Sequence, residues 1–429
     1  MKASTRAFWV LVCIISIFYC ASRGIAQENW IDEIELAGSR TVYSFGTTPY
    51  SQSAPNLTLD ERKIFSIGSM QFNLDRRRPP MNAPVDPLTP ANASINAASC
   101  ASCHSGDGRG RTHKIDFRSS GFSIVPHPLQ AQGAFREPAR DADYAKFEDL
   151  HWKLKKRIIL SAEIAVELVA PVAVVDGREE AVDLRNAPAL HGLGLLEAIG
   201  ASEIELGAAR RKFAKFGILG VVPRAREGGL QGTEKVGRFG WRGTAGSLAD
   251  QVAAALQSEL GITKPAMGNV AEYEMLLEAL ATYVRFLAVP ARDPSAAKAN
   301  RNGGEIFRRV GCTMCHRPSW QLGDNLSIPP DLRGERIYPF TDMLLHDMGK
   351  DLRTVEGDSQ TGFWRTSALW GIGLQHRVSA GAGYLHDGRA RNLVEAVLWH
   401  AGEASYSVDR YKELTDDDRE RLLKFVSSL

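Results

Sequence analysis

Cysteine is scarce in this chain, with six residues in 429. Two of them, Cys13 and Cys20, fall in a segment expected to be removed. The other four all belong to two short motifs, which leaves neither a disulfide framework nor a spare thiol nucleophile. Charge of one sign is lacking too: 52 Lys and Arg stand against 50 Asp and Glu. That balance excludes the basic excess of a nucleic-acid binder. Long apolar runs are missing beyond the first, Ala7 to Tyr19, which is itself too short for a comfortable membrane span. With Lys2 and Arg6 before it and Gly24 and Ala26 after it, the run reads as a secretory signal (1–26) cleaved after Ala26. Cleavage takes three basic residues and no acid, leaving 49 bases against 50 acids. Export to the periplasm is the expectation, with no membrane span thereafter. No phosphate-cradling Gly loop, Ser/His/Asp set or pair of glycosidase carboxylates stands out.

What is present is more specific. Cys100-Ala-Ser-Cys103-His104 and Cys312-Thr-Met-Cys315-His316 are two copies of Cys-x-x-Cys-His. Thiols two residues apart can add to both vinyl groups of one haem, and the following histidine then lies under the iron. At this composition one such pentamer arises by chance in roughly one chain in five hundred. Structural zinc is the alternative, but each copy offers three ligands where a closed site needs four, so both would have to pool. Two covalently bound haem c groups are the expected cofactors.

A chain of this length predicts two or three domains. Residues 27–96 read as an N-terminal extension with one helix, Leu59 to Leu74, whose Ile64, Ile67, Met70 and Phe72 have roughly helical spacing. Residues 97–290 read as a first, enlarged haem domain. It holds a β-hairpin from Val166 to Leu184 around Asp176-Gly177 and helices over Ser247 to Leu260 and Tyr273 to Leu287. Pro290, Pro294 and an Ala/Asn/Gly-rich stretch look like a linker. Residues 296–429 then follow the order of a small c-type cytochrome. A helix with Ile306 and Phe307 precedes the motif, and a closing helix after Thr415 carries Leu422, Leu423, Phe425 and Val426. Two signatures also recur. Arg185 to Leu195 resembles Arg365 to Leu374, and Phe239-Gly-Trp-Arg-Gly with Ser247 and Gln251 resembles Leu385-His-Asp-Gly-Arg with Asn392 and Ala396. The fold expected is mainly α: two class I cytochrome c-like domains, duplicated from a one-haem unit, the first carrying a small β-hairpin insertion.

These motifs make the chain resemble the di-haem oxidoreductase family, which is similar to bacterial di-haem cytochrome c peroxidases and to the di-haem enzyme that matures methylamine dehydrogenase. The residues carrying the resemblance are Cys100-x-x-Cys-His-x-x-Asp-Gly-Arg-Gly-Arg111, Gly192 to Glu197, Gly237 to Trp241, Leu345 to Gly349, Leu385 to Arg389 and Trp399 to Glu403. The resemblance implies a peroxidase-like enzyme. Its second haem takes electrons from a small cytochrome or cupredoxin, and its first reduces hydrogen peroxide. The relatives' distal ligand of the second haem, counted from the His-Asp-Gly signature, falls on His400, with His346, Met343 and Met348 as rivals. Their catalytic glutamate falls near Glu259 and their interhaem tryptophan near Trp241. Calcium, which tunes the relatives, is a further cofactor implied in this way.

The relatives cap the resting first iron with a histidine. His113 and His127 lie nearby here, but neither has the matching spacing. Arg109, Arg111, Arg389 and Arg391 are candidates for pairing with haem propionates. Two other functions stay open: a pure electron carrier with both irons six-coordinate, and an oxidase acting on a protein or organic substrate through high-valent iron.

Overall fold

The computed structural model describes residues 30–76, 97–111, 122–126, 147–175, 177–210, 212–227, 233–264, 269–324, 328–356 and 359–429. The expected signal segment, His113 and His127 lie outside them. With 44% helix and 17% strand the fold is mixed and mainly helical. The elements that position the site are helices α1 (Leu59–Asn73), α2 (Cys100–Cys103), α3 (Leu248–Leu260), α4 (Val270–Arg285), α5 (Arg301–Arg309), α6 (Leu393–Trp399) and α7 (Asp416–Ser428), and strands β1 (Phe122–Pro126), β2 (Phe147–Ile159), β3 (Ala165–Val175) and β4 (Arg178–Asn186).

The helices begin where their caps dictate. Thr58 and Glu61 form a capping box at α1, Ser247 and Asp250 form one at α3, and Thr415 accepts from Asp418 N at α7. Helix α1 matches its expected span, but its apolar stripe does not face inward. Ile67 and Met70 are exposed, while Gly68 and Phe72 are buried. Gly68 explains the difference. It packs so closely on α4 that an added Cβ would collide with the Ala279 backbone. Phe72 then packs 5.1 Å from Tyr283 and 6.2 Å from His104. A glycine contact, invisible to hydrophobic periodicity, sets the rotation of the helix.

The hairpin around Gly177 is present as β3 and β4, but it is half of a four-stranded antiparallel sheet in the order β1-β4-β3-β2. Strand β2 has four basic residues in a row of five (Lys153 to Arg157, broken by Leu154), so its sequence gives no strand signal. The sheet leans on the far half of the chain. Arg391 Nη2 donates to Glu167 O at 2.8 Å, Arg419 Nη2 to Leu160 O at 3.3 Å, and Lys156 pairs with Asp351.

The stretch read as a linker is built into the protein. Val289–Pro290 pairs in parallel with Thr41–Val42, and Pro294–Ala299 is helical behind an Asp293 cap. The Arg292 guanidinium is buried and donates to Ile31 O at 2.8 Å and Glu33 O at 2.9 Å. Trp30 completes this strap, edge-on to Phe307, Phe340 and Phe425. One continuous core therefore joins Leu195 and Leu280 to Trp320, Trp399 and Phe425. No helix among the described residues is long and apolar enough to cross a membrane.

Candidate functional site

Each Cys-x-x-Cys-His segment is a single tight turn. Ser99 caps α2 through a capping box with Ser102, and His104 N donates to Cys100 O at 2.9 Å. The second copy is a 3-10 turn entered through Gly311 at φ +92°, with His316 N donating to Cys312 O at 2.9 Å. One turn places both thiols on one side with the imidazole next to them, the disposition a thioether-linked ring requires.

Both imidazoles are oriented in the same way. His104 Nδ1 lies 2.8 Å from Pro188 O and His316 Nδ1 lies 2.9 Å from Phe340 O. A carbonyl only accepts, so Nδ1 carries the proton and Nε2 keeps its lone pair. Burial pushes each ring down to about 4, so both are neutral at pH 7. Burial also pushes the Cys103 and Cys312 thiols up to about 12, which keeps them protonated rather than thiolate.

The two motifs open onto one cavity of about 860 Å³. His104, His316, Arg109 and Arg365 keep accessible surface although protein surrounds them, and all four line this space. Among the cavity-lining residues three guanidinium groups (Arg109, Arg185, Arg365) face a single carboxylate, Glu259. A buried, mostly apolar space with two neutral imidazoles and an excess of cations fits haem, whose edges carry carboxylates. Pooled zinc does not fit. Among the described residues the one cluster with three ligand atoms within 4.8 Å is Cys315, Asp342 and His346, which draws on one motif alone. A thiol and an imidazole also make that cluster unsuited to calcium.

His400 lines the cavity just past the end of α6. Its Nδ1 lies 2.6 Å from Ala396 O, which again leaves Nε2 as the lone-pair atom, and burial lowers its proton affinity. It stands near enough to His316 to lower that ring as well. Two of its rivals are engaged elsewhere. His346 has a carboxylate on each nitrogen, Glu403 at 2.7 Å and Asp342 at 2.9 Å, and these hold it protonated well above the usual imidazole range, against the opposing effect of its burial. Met343 is fully buried and does not line the cavity, its sulfur 3.9 Å from Arg365 Nη1. Met348 does line it.

Glu259 lies at the last turn of α3 beside the first motif. Its backbone oxygen accepts from Ala97 N at 3.1 Å, its carboxylate from Ser258 Oγ at 3.2 Å, and its charge raises the Cys103 thiol. Trp241 is half-buried on the cavity wall, held by Nε1 donating to Asn186 O at 2.8 Å, with Arg109 stacked 5.0 Å from its ring centre. Of the four arginines picked from sequence, Arg109 alone lines the cavity. Arg111 is exposed, Arg389 is bound to Asp387 at 2.6 Å and Arg391 to Glu395 at 2.7 Å. Arg185 and Arg365, which sequence reasoning missed as cavity residues, each open one copy of the recurring Arg…Leu signature, so the recurrence itself carried the signal.

The second recurring signature has a geometric counterpart, shifted by one residue from the sequence alignment. Phe239 bridges Ala245 as Tyr384 bridges Ala390. Gly240 and Leu385 both have positive φ (76° and 68°), as do Gly243 and Gly388 (65° and 71°). Trp241 thus corresponds to His386, and Ser247 to Asn392, each the cap of a helix. The copies also bond crosswise. Arg365 N donates to Trp241 O at 3.0 Å and Asn186 N to His386 O at 2.7 Å. His386 stacks on Trp364 at 3.7 Å on the same cavity wall.

Residues 268–429 match the family described as "Di-haem oxidoreductase, putative peroxidase", the family these motifs resemble. The matched part carries the second Cys-x-x-Cys-His, His346, His386 and His400; the first motif precedes it. No curated protein matches the chain.

Proposed function

We propose, from a chain whose residues 268–429 match the di-haem oxidoreductase family, that the whole protein is an exported di-haem c-type oxidoreductase of peroxidase type. The observation that carries this reading is that two Cys-x-x-Cys-His turns, remote in sequence, present neutral imidazoles to one shared cavity. Haem held there would supply one-electron transfer and the reduction of peroxide.

The chain's own residues divide the work. Cys312, Cys315 and His316 would hold the second haem, with His400 as a further ligand, and this side would receive electrons from a small redox protein. Cys100, Cys103 and His104 would hold the first haem, the side that would meet peroxide. Reductive cleavage of hydrogen peroxide consumes two electrons and two protons and yields two waters. Glu259, the carboxylate of the cavity, accepts a proton from one peroxide oxygen and returns it to the other. Trp241 is fixed through Asn186 O, whose own N–H reaches His386 O, so the wall between the two motifs is a rigid bonded unit. The recurring signatures support an origin by duplication of a one-haem unit.

Glu259→Gln tests the assignment of the acid–base group. Peroxide turnover with a reduced cytochrome as donor should fall roughly 10²- to 10³-fold while haem content stays at two per chain. Full turnover in that variant removes Glu259 from the mechanism. A wild-type protein with two haems and no turnover favours an electron carrier instead.

A further inference from the structure

We propose that Arg109 is the anion anchor of the first haem: its guanidinium, stacked on Trp241, binds a propionate of the haem carried by Cys100 and Cys103. This inference rests on the reading of those cysteines as haem-attachment residues.

The geometry begins in the motif itself. Arg109 lies five positions beyond His104, on a segment pinned by Leu190 N donating to Asp107 O at 2.9 Å and Gly110 N to Ala187 O at 3.0 Å. Its Nη2 donates to Leu385 O, and its plane covers the Trp241 ring with Cζ 5.0 Å from the centre. Its Nε is buried without a partner. No carboxylate forms an ion pair with it among the described residues. Beside Tyr384 and Tyr50, the carboxylate that acts on it is Asp387, already bound by Arg389 at 2.6 Å. Burial lowers its pKa to about 10, which still leaves a full cation at neutral pH.

An unpaired buried guanidinium with an idle donor is costly, and a carboxylate within the cavity removes that cost. The cavity's other two arginines are less available. Arg185 donates to Leu184 O at 3.3 Å and Thr354 Oγ1 at 3.1 Å. Arg365 donates to Gly240 O at 3.3 Å and Thr366 O at 3.2 Å. A propionate is an anion that a haem seated over His104 brings with it, and a planar fork suits a carboxylate better than an ammonium does. The same guanidinium covers one face of Trp241, so Arg109 is also a positioning residue for that ring.

The test uses the full holoprotein as Arg109→Gln, Arg109→Lys and the control Arg111→Gln, an exposed arginine two residues along. Haem per chain is counted by haemochrome absorbance. The midpoint potential of each haem is then read by redox titration followed by electron paramagnetic resonance. A cation near the ring favours the reduced iron, so Arg109→Gln should move the first haem to lower potential and leave the second in place. Arg109→Lys should move it less, and Arg111→Gln not at all. Unchanged potentials in a two-haem Arg109→Gln protein, or a shift confined to the second haem, overturn the assignment. Should Arg109→Gln fail to fold, Arg109→Met decides, since it also removes the charge and keeps a long side chain; an unmoved first haem there also overturns it. Fewer than two haems in the wild-type chain defeats the haem reading itself, before any potential is compared.

Discussion

At the residue scale, the site is a set of imidazoles whose roles are fixed by what each Nδ1 or Nε2 touches. His104, His316 and His400 each spend Nδ1 on a backbone carbonyl and keep Nε2. His346 spends both nitrogens on carboxylates. His400→Met should therefore preserve a six-coordinate second haem and raise its potential on the order of 0.1 V, a fraction of the roughly 0.8 V that axial ligands span. Spectroelectrochemistry reads that shift, and an unchanged potential removes His400 from the iron. His191 gives a pH prediction free of the iron. It is buried, its Nε2 donating to Trp370 O at 2.9 Å, and burial holds it down to about 4. The unfolded ring takes up a proton near pH 6.5 and the folded ring does not. Its share of stability is thus present above about pH 6.5 and is lost as pH falls towards 4. By pH 5 the loss is about 2 kcal/mol, and in His191→Gln denaturation curves at pH 7 and pH 5 should lie closer together by that amount.

Among the elements, what was legible in the sequence was what is local. The Cys-x-x-Cys-His turns, the capped helices α1, α3 and α7, and the hairpin around Gly177 all depend on neighbours a few residues away. Strand β2 was not legible, because its run of lysines and arginine hides the strand alternation, although its partner is the next strand, reached through the turn that Leu160 N closes on Ile164 O. Arg185 and Arg365 were missed for another reason: nothing within a short window says which arginine faces a cavity. The alignment of Trp241 with His386 also needed backbone geometry, since Gly240 and Leu385 share a positive φ but no chemistry. The crossing of the two recurring Arg…Leu signatures is the element-scale joint. Gly192 and Gly371 both sit in the left-handed region, φ +74° and +70°. A Cβ on Gly192 would stand 2.5 Å from the Trp370 ring, and one on Gly371 would stand 2.7 Å from His191 Nε2. Gly192→Ala should lower stability by about 2 kcal/mol or more in a thermal melt of the holoprotein, from backbone strain and the ring collision together. A melt within a few tenths of wild type would mean that the joint tolerates displacement.

For the whole molecule, the first half and the second share one core, and three structures stitch them together: the Trp30 strap, the four-stranded sheet and the crosswise bonds at Trp241 and His386. A shared cavity between two Cys-x-x-Cys-His turns is the arrangement expected of the proposed function, in which electrons enter at one and are used at the other. Under the proposed function the two irons differ, one closed by His316 and His400 and one, on His104, open to peroxide. Low-temperature electron paramagnetic resonance of the purified holoprotein tests it most directly, in the oxidised state, at half reduction and after peroxide. One low-spin and one high-spin ferric signal are expected, the high-spin one responding to peroxide. Two low-spin signals that persist at half reduction and ignore peroxide would contradict it and leave an electron-transfer cytochrome.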